Sequence, residues 1–236
     1  MTAPPPSPPA GSAVLVVEDE ADLLFLLRQN LTRVGWTVTA CRTAKDARAA
    51  LAEARPDVLL LDVNLGLGPT GFELLRGWRA DDVWTPAVFL TARAGEADRL
   101  AGFAAGGDDY VAKPFSMAEL LARLAAIVRR ARAATKGAIW RGAGVEVDFD
   151  RYRLTKDGEQ HALTYLEAEL LRYLVERPNV AVSRSELLDA VWGEDEFPTT
   201  RTIDMHVLNL RRKLEPEAAS PRHLITVHGV GYKFVP

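Results

Sequence analysis

The pattern of apolar and polar positions divides the chain into two parts. In the first part, short apolar runs predict buried β-strands at residues 13–17, 36–41, 58–61, 87–90 and 109–112. Apolar residues spaced three and four positions apart predict amphipathic helices at residues 21–31, 44–54, 71–79, 94–106 and 116–131. Alternating strands and helices are typical of an α/β doubly wound domain with a parallel five-stranded sheet, which we expect at residues 13–132.

The second part of the chain has a different pattern. After a short linker at residues 133–138, apolar and polar positions alternate between turn signals over residues 139–163. Three helical patterns and a hairpin pattern follow, at residues 163–179, 183–192, 201–215 and 223–236. This order predicts an α+β winged helix-turn-helix domain at residues 139–236. Five prolines within residues 1–12 predict a disordered, extended tail before the first domain.

Composition narrows the class of protein. A length of 236 residues fits two domains, and 48% hydrophobic with 26% charged residues is typical of globular proteins. No window approaches the ~20 apolar residues of a membrane span. Cys41 is the only cysteine, which excludes a disulfide framework and a cysteine-rich zinc site and predicts a cytoplasmic location. A net charge of −3 gives no overall sign of nucleic-acid binding, although a local basic face is sufficient.

Charged and hydroxyl side chains stand at the ends of four predicted strands. Asp62 ends the third strand, and alone it fits a turn-initiating aspartate. Glu18 and Asp19 follow the first strand, Thr91 the fourth and Lys113 the fifth. Converging carboxylates repel one another unless a cation lies between them, and hard oxygen ligands suit Mg²⁺ better than zinc. The ammonium and hydroxyl groups suit a bound phosphoryl group, and a carboxylate can itself be the nucleophile.

This set of residues resembles the pocket of a response-regulator receiver domain, in order and in strand context. The resemblance implies a flavodoxin-like sheet, phosphorylation of Asp62 by a sensor histidine kinase, and a protein that is not an enzyme beyond its own phosphoryl transfer. It implies that Mg²⁺ is held by Asp19, Asp62 and the backbone carbonyl of Asn64, with Glu18 contributing through a water molecule. It further implies that Lys113 pairs with the phosphoryl oxygens and that Thr91 and Tyr110 form a switch. The alternative for Tyr110 is an ordinary half-exposed strand residue.

The loop after Asp62 departs from the receiver pattern. Gly66 stands where relatives usually carry proline, and Gly71 comes one residue later than the usual glycine. We expect this loop to be more mobile, with an effect on kinase fit or on the lifetime of the phosphoryl group.

Receivers of this kind commonly dimerise through the fourth helix, fifth strand and fifth helix. Charged residues match that face at Arg99, Asp108, Asp109, Glu119, Arg123 and Arg130. The resemblance predicts the cross-dimer pairs Arg99–Glu119 and Asp109–Arg123. A solvated charged surface is the alternative, because isolated surface ion pairs contribute only ~0–1 kcal/mol.

The predicted helix at residues 201–215 has a buried stripe and a basic face. Ile203, Val207, Leu210 and Leu214 form the apolar stripe. The rest of the helix carries the predicted DNA contacts: Arg201, Thr202, Met205, His206, Asn209, Arg211 and Arg212. Arginine and asparagine match base edges in the major groove, whereas threonine and histidine suit phosphates.

The hairpin VHGVGYKF resembles the wing of an OmpR/PhoB-type effector domain, whose tip lies in the minor groove. The resemblance implies that His228 contacts DNA, although relatives usually carry arginine at this position, so attraction near neutral pH should be weaker. Leu208 and Asn209 also replace residues that are often basic. The acidic segment 193–200 is predicted either to touch RNA polymerase or to cap the next helix.

The chain as a whole therefore resembles an OmpR/PhoB-type two-component response regulator. Such a protein would dimerise when phosphorylated on Asp62 and bind tandem sites on double-stranded DNA to regulate transcription. Two alternatives remain open. One is a phosphohydrolase on a related scaffold, although it would need an acid where Asn64 stands. The other is a regulator that works without phosphorylation.

Overall fold

The computed structural model describes residues 7–66, 68–92, 102, 105–133, 139–191 and 200–236. The contacts within the chain divide it into two compact units, residues 1–133 and 134–236. No helix in these described ranges is long and apolar enough to cross a membrane.

The first unit is built on a five-stranded sheet. Its strands are β1 (Ala13–Val17), β2 (Thr37–Cys41), β3 (Val58–Asp62), β4 (Ala87–Thr91) and β5 (Asp109–Ala112). Its helices are α1 (Ala21–Arg33), α2 (Ala44–Ala54), α3 (Gly71–Ala80) and α4 (Met117–Ala133). All strands are parallel in the order β2-β1-β3-β4-β5, which confirms the predicted doubly wound fold. The helix predicted at residues 94–106 lies almost wholly outside the described residues.

Burial explains why these segments form strands and helices. Every residue of β3 and β4 is buried, as expected for central strands covered by helices on both faces. Thr43 caps the start of α2 by accepting from the backbone N–H of Asp46. Thr70 and Glu73 form a capping box at the start of α3, which fixes where the loop after β3 ends.

The residues just before β1 are ordered by α4. The guanidinium of Arg132 donates to the carbonyls of Ala10 (2.8 Å) and Gly11 (3.3 Å) and pairs with Asp57 at 2.9 Å. Ser12 closes a turn onto the carbonyl of Pro9. The prediction of disorder through residue 12 is therefore wrong for this stretch, because contacts distant in sequence hold it in place.

The second unit combines two antiparallel sheets with three helices. Its strands are β6 (Ile139–Gly142), β7 (Val145–Asp148), β8 (Arg153–Lys156), β9 (Glu159–Ala162), β10 (Ala181–Ser183), β11 (Leu224–Val227) and β12 (Gly231–Phe234). Its helices are α5 (Tyr165–Val175), α6 (Arg184–Val191) and α7 (Thr200–Leu214). Strands β6 to β9 form one sheet, and β10-β12-β11 forms the other. A four-stranded sheet, three helices and a closing hairpin confirm the predicted winged helix-turn-helix.

Candidate functional site

Three carboxylates meet where the first and third strands end. β1 and β3 are neighbours, and Val17 is in register with Leu61, so Glu18 follows one strand beside Asp62 on the other. Oxygens of Glu18, Asp19 and Asp62 lie within 4.8 Å of one another. Glu18 is fully buried and Asp62 is 4% exposed, so these charges are poorly screened by water.

Lys113 joins the carboxylates of this cluster. It follows β5, and its Nζ lies 2.7 Å from Asp62 Oδ2 and 2.8 Å from Glu18 Oε2. Burial raises the pKa of Glu18 to about 7, with a further increase from neighbouring Asp62, although Lys113 opposes the shift. Burial lowers the pKa of Lys113, but its hydrogen bonds to Asp62 and Glu18 outweigh that effect and raise it. The cluster therefore holds more negative charge than one lysine neutralises.

The donor set fits a divalent cation. Three carboxylates and one ammonium leave a formal charge of −2, which one Mg²⁺ ion would balance. Oxygen ligands alone, with no thiol or imidazole among them, suit Mg²⁺ rather than zinc. The backbone N–H of Asn64 donates to Asp62 Oδ1 at 3.0 Å, which holds the Asp62 carboxylate and Asn64 close together.

Thr91 and Tyr110 lie on the neighbouring strands. Thr91 ends β4 and is fully buried, and its strand runs beside β3 with Asp62 in register with Leu90. Tyr110 is half-buried, and its ring packs 5.6 Å from that of Phe89 and 6.2 Å from that of Phe72. Thr91 therefore lies at the carboxyl end of its strand, whereas Tyr110 lies level with Phe89, two positions earlier in the register.

Two glycines shape the loop between Asp62 and α3. Gly66 has φ +66°, which proline cannot adopt, and a Cβ there would lie 3.2 Å from Asp19 Oδ2. Gly71 begins α3, and a Cβ on it would lie only 2.2 Å from the backbone oxygen of Asp62. The N–H of Gly71 also donates to the carbonyl of Val63 at 2.9 Å. The loop thus returns the chain to the backbone of Asp62 through a contact that only glycine allows.

Gly71→Ala is expected to destabilise the receiver by about 1–3 kcal/mol, because the methyl group must displace the backbone at Asp62. Gly68→Ala is the matched control, since its Cβ would meet Leu65 at an ordinary 3.7 Å. Urea unfolding of both variants checks the expectation. Equal stability of the two variants would contradict it.

The predicted dimer residues are only partly at the surface. Asp108 is fully buried, accepts from the N–H of Ala87 at 2.8 Å and lies 3.5 Å from Arg79, so it is not an interface residue in this structure. Arg123 pairs with Asp109 at 2.9 Å and with Glu119 at 2.8 Å within the same chain. The predicted cross-dimer pair Asp109–Arg123 is therefore an internal one here.

The packing of α4 beside β5 explains this correction. It places Arg123 opposite Asp109 and both side chains below the surface, at 6% and 4% exposure. Burial raises the pKa of Asp109, and the charge of Arg123 opposes that shift. Glu119 is 40% exposed and Arg130 is half-buried, so these two remain accessible. Arg99 lies outside the described residues.

Arg79 is a structural residue that the sequence pattern did not indicate. Its guanidinium is 7% exposed and donates to the carbonyls of Gly106, Val83 and Thr85, with the shortest bond at 2.7 Å. It therefore ties the end of α3 to the loop before β5. From sequence alone, an arginine at the end of an amphipathic helix is expected to be solvent-exposed, so no sequence signal distinguishes Arg79 from a surface residue.

Helix α7 confirms the predicted apolar stripe but buries more than that stripe. Ile203, Val207, Leu210 and Leu214 are each at most 1% exposed. Thr202, His206 and Asn209 are also buried, at 7%, 1% and 9% exposure. At about 100° per residue, these three lie on one flank of the stripe, so the buried arc covers nearly half of the helix. The expectation that they face outward is wrong for this structure.

The remaining predicted DNA contacts divide into two groups. Arg212 is exposed, Met205 and Leu208 are half-exposed, and together they form the outward face of α7. His228 is exposed at the hairpin turn. Arg211 instead turns inward and donates to the carbonyl of Leu224 and to Thr226 Oγ1, so its role here is structural. The side chain of Arg201 is outside the described part of the chain.

Comparison with known proteins agrees with both units. Residues 14–125 match the family described as "Response regulator receiver domain", and residues 158–234 match "Transcriptional regulatory protein, C terminal". The chain is 39% identical over 225 residues to the transcriptional regulatory protein TrcR of Mycobacterium tuberculosis, covering 94% of this chain and 86% of TrcR. It is 40% identical over 221 residues to the phosphate regulon transcriptional regulatory protein PhoB of Rhizobium meliloti, covering 93% and 96%.

Solved structures share the fold. A mutant of RitR superposes with a TM-score of 0.77 at 24% identity, over 95% of this chain and 99% of RitR. Response regulator DrrB, described as a Thermotoga maritima OmpR/PhoB homolog, has a TM-score of 0.51 at 28% identity, over 96% and 100%. With a receiver, a winged-helix DNA-binding unit and full-length relatives, this chain belongs to the OmpR/PhoB family of two-component response regulators, which regulate transcription.

Proposed function

We propose that this protein is a cytoplasmic transcription regulator switched by transfer of a phosphoryl group from a sensor histidine kinase to Asp62. The observation that carries the proposal is the pairing of Lys113 with both Asp62 and Glu18, the two buried members of a cluster of three carboxylates. Such a cluster is unfavourable as a purely structural feature, because each buried carboxylate must be neutralised. It suits a site that receives a cation and an anionic group together.

The proposed chemistry is an in-line transfer. A carboxylate oxygen of Asp62 attacks the phosphorus of a phosphohistidine, and the N–P bond breaks with its electron pair going to the imidazole nitrogen of the donor. Lys113 then exchanges its contact with the Asp62 carboxylate for one with the phosphoryl oxygens. Glu18, Asp19, Asp62 and the carbonyl of Asn64 would hold Mg²⁺, which supplies charge neutralisation.

We extend the proposal to a switch and a dimer. Thr91 would hydrogen-bond a phosphoryl oxygen, and Tyr110 would follow it inward against Phe89. A receiver dimer through the face that includes β5 and α4 would use the accessible Glu119 and Arg130. Its use of Asp109 and Arg123 would require these residues to exchange their internal bonds for bonds across the dimer. A contact of residues 193–200 with RNA polymerase completes the proposal, although residues 193–199 lie outside the described part of the chain.

The proposed output is binding to tandem DNA half-sites about 10–10.5 bp apart. The outward face of α7, with Met205 and Arg212, would enter the major groove, and the hairpin turn with His228 would reach the minor groove. Contacts by Thr202, His206 and Asn209 would require these buried side chains to become exposed.

Selection of bound duplexes from a random DNA pool tests this function. The full-length protein is used with and without Mg²⁺ and beryllofluoride, a mimic of the phosphoryl group. We expect a tandem repeat that is enriched only with the mimic. Equal enrichment in both conditions would contradict phosphorylation control and leave a constitutive DNA-binding protein. No enrichment in either condition would contradict the DNA-binding output.

A further inference from the structure

Helix α7 is fastened to the closing hairpin along one edge. Asp204 and Arg211 are seven residues apart, two helical turns, and therefore lie on the same side of the helix. Arg211 donates to the carbonyl of Leu224 at 2.7 Å and to Thr226 Oγ1 at 2.8 Å, both on β11. Asp204 accepts a 2.6 Å hydrogen bond from the hydroxyl of Tyr232 on β12. Each strand of the hairpin is thus bound to a different turn of the helix.

Tyr232 is the centre of this attachment. It is 4% exposed, and the guanidinium carbons of Arg184 and Arg211 lie 4.9 Å and 5.8 Å from the centre of its ring. Burial, and then the hydrogen bond to Asp204, raise the pKa of Tyr232 to about 12. The hydroxyl therefore stays protonated near neutral pH and remains a donor to the carboxylate.

Arg184 links the same carboxylate to the hairpin turn. Its Nε donates to Asp204 Oδ1 at 2.9 Å, and its backbone N–H donates to the carbonyl of Val230 at 3.3 Å. Val230 in turn closes the turn through a 3.0 Å bond to the carbonyl of Val227. Arg184 therefore contacts both the Asp204 carboxylate and the turn of the hairpin.

The charge of Asp204 is otherwise hard to account for. It is the single acidic residue in α7, and its side chain is 43% exposed on a helix proposed to enter the major groove of polyanionic DNA. An unpaired carboxylate there would oppose binding by repulsion. Pairing with Arg184 offsets that charge and leaves the carboxylate to orient the tyrosine hydroxyl.

We propose that Asp204, Tyr232 and Arg184 form a positioning cluster that sets the angle between helix α7 and the β11–β12 hairpin. The cluster does not need to touch DNA. It allows the helix and the hairpin to engage one duplex at the same time, so that loss of the cluster removes the contribution of the hairpin and spares that of the helix. The inference rests on the proposed DNA interface formed by these two elements.

Tyr232→Phe is the test variant, because it removes only the hydroxyl. Tyr173→Phe is the matched control, since Tyr173 also donates to a carboxylate, that of Glu186, at a site on α5 and α6 away from the hairpin. The probes are a duplex selected by the wild-type protein from a random pool and the same duplex shortened to remove the base pairs protected by the hairpin. Hydroxyl-radical footprinting of the wild-type complex defines those base pairs.

We expect Tyr232→Phe to bind the full duplex about tenfold more weakly and the shortened duplex with wild-type affinity, while the control matches wild type on both. Equal weakening on both duplexes would indicate general destabilisation and overturn the inference, as would no weakening. Asp204→Ala, which removes the oxygen that accepts from both Tyr232 and Arg184, should repeat the pattern if Tyr232→Phe folds poorly. A wild-type protein that selects no duplex would instead contradict the proposed function, and the inference would fall with it.

Discussion

Asp62→Asn is expected to reduce phosphoryl transfer to this protein to below about one thousandth of the wild-type rate. The amide is isosteric with the carboxylate but has no nucleophilic anionic oxygen. The change also removes the negative charge that pairs with Lys113 at 2.7 Å, and the formal charge of the cluster goes from −2 to −1, since two carboxylates and one ammonium remain. Mg²⁺ affinity should therefore fall together with phosphorylation.

Intact-mass measurement after incubation with phosphoramidate and Mg²⁺ checks this result without requiring the kinase. Asp22→Asn is the matched control, because Asp22 is an exposed acid in the first turn of α1, close in sequence to Asp19 but outside the cluster. The control should gain one phosphoryl group as the wild type does. Continued phosphorylation of Asp62→Asn would show that another residue accepts the phosphoryl group and would contradict the proposed mechanism.

The acidic cluster was predictable because its geometry follows from strand order. Once β1 and β3 are neighbours in a parallel sheet, the residues that follow them must converge at one edge, whatever the helices do. Glu18, Asp62 and Lys113 each stand directly at or after a strand end, so an apolar run and its next residue were enough to locate them. The positions of the strand ends in the sequence are therefore enough to predict that these side chains lie together.

The faces of α7 were predictable only in part. Periodicity identifies the apolar stripe, but it gives no measure of how far the covering protein extends around the helix. His206 lies on the flank of the stripe, where a polar residue looks exposed from its chemistry although the fold buries it. Arg211 shows the same limit, since its partners on β11 are more than ten residues away in sequence.

The prediction that charged residues form a dimer face was partly wrong for a related reason. Asp108 and Arg123 match surface positions in sequence, but the partner of a charge is set by tertiary packing. Within the chain, Asp108 pairs with Arg79, and Arg123 pairs with Asp109. The pairing of Asp204 with Tyr232 could not be inferred either, because 28 residues separate them and neither stands out from its local pattern.

Glu215→Ala is expected to destabilise the second unit by about 2–4 kcal/mol. Glu215 directly follows the last residue of α7 and is 3% exposed. Its carboxylate accepts from three successive backbone N–H groups, those of Arg222, His223 and Leu224, at 2.9, 2.9 and 2.7 Å. Truncation leaves these donors without their acceptor where β11 begins, and the bond to Leu224 is fully buried.

Glu217→Ala is the matched control, because Glu217 is an exposed acid two residues away and its loss should cost less than about 0.5 kcal/mol. Urea unfolding, with hydrogen exchange of the β11 amides as a local probe, separates the two variants. Equal stability would show that water replaces the carboxylate at no cost. The expected loss would instead show that Glu215 attaches the hairpin to the end of α7. Its carboxylate accepts from the N–H of Leu224, and Arg211 of the helix donates to the carbonyl of the same residue. A carboxylate at the C-terminus of a helix interacts unfavourably with the negative end of the helix dipole. The three backbone hydrogen bonds of Glu215 give a physical reason for a carboxylate at this position.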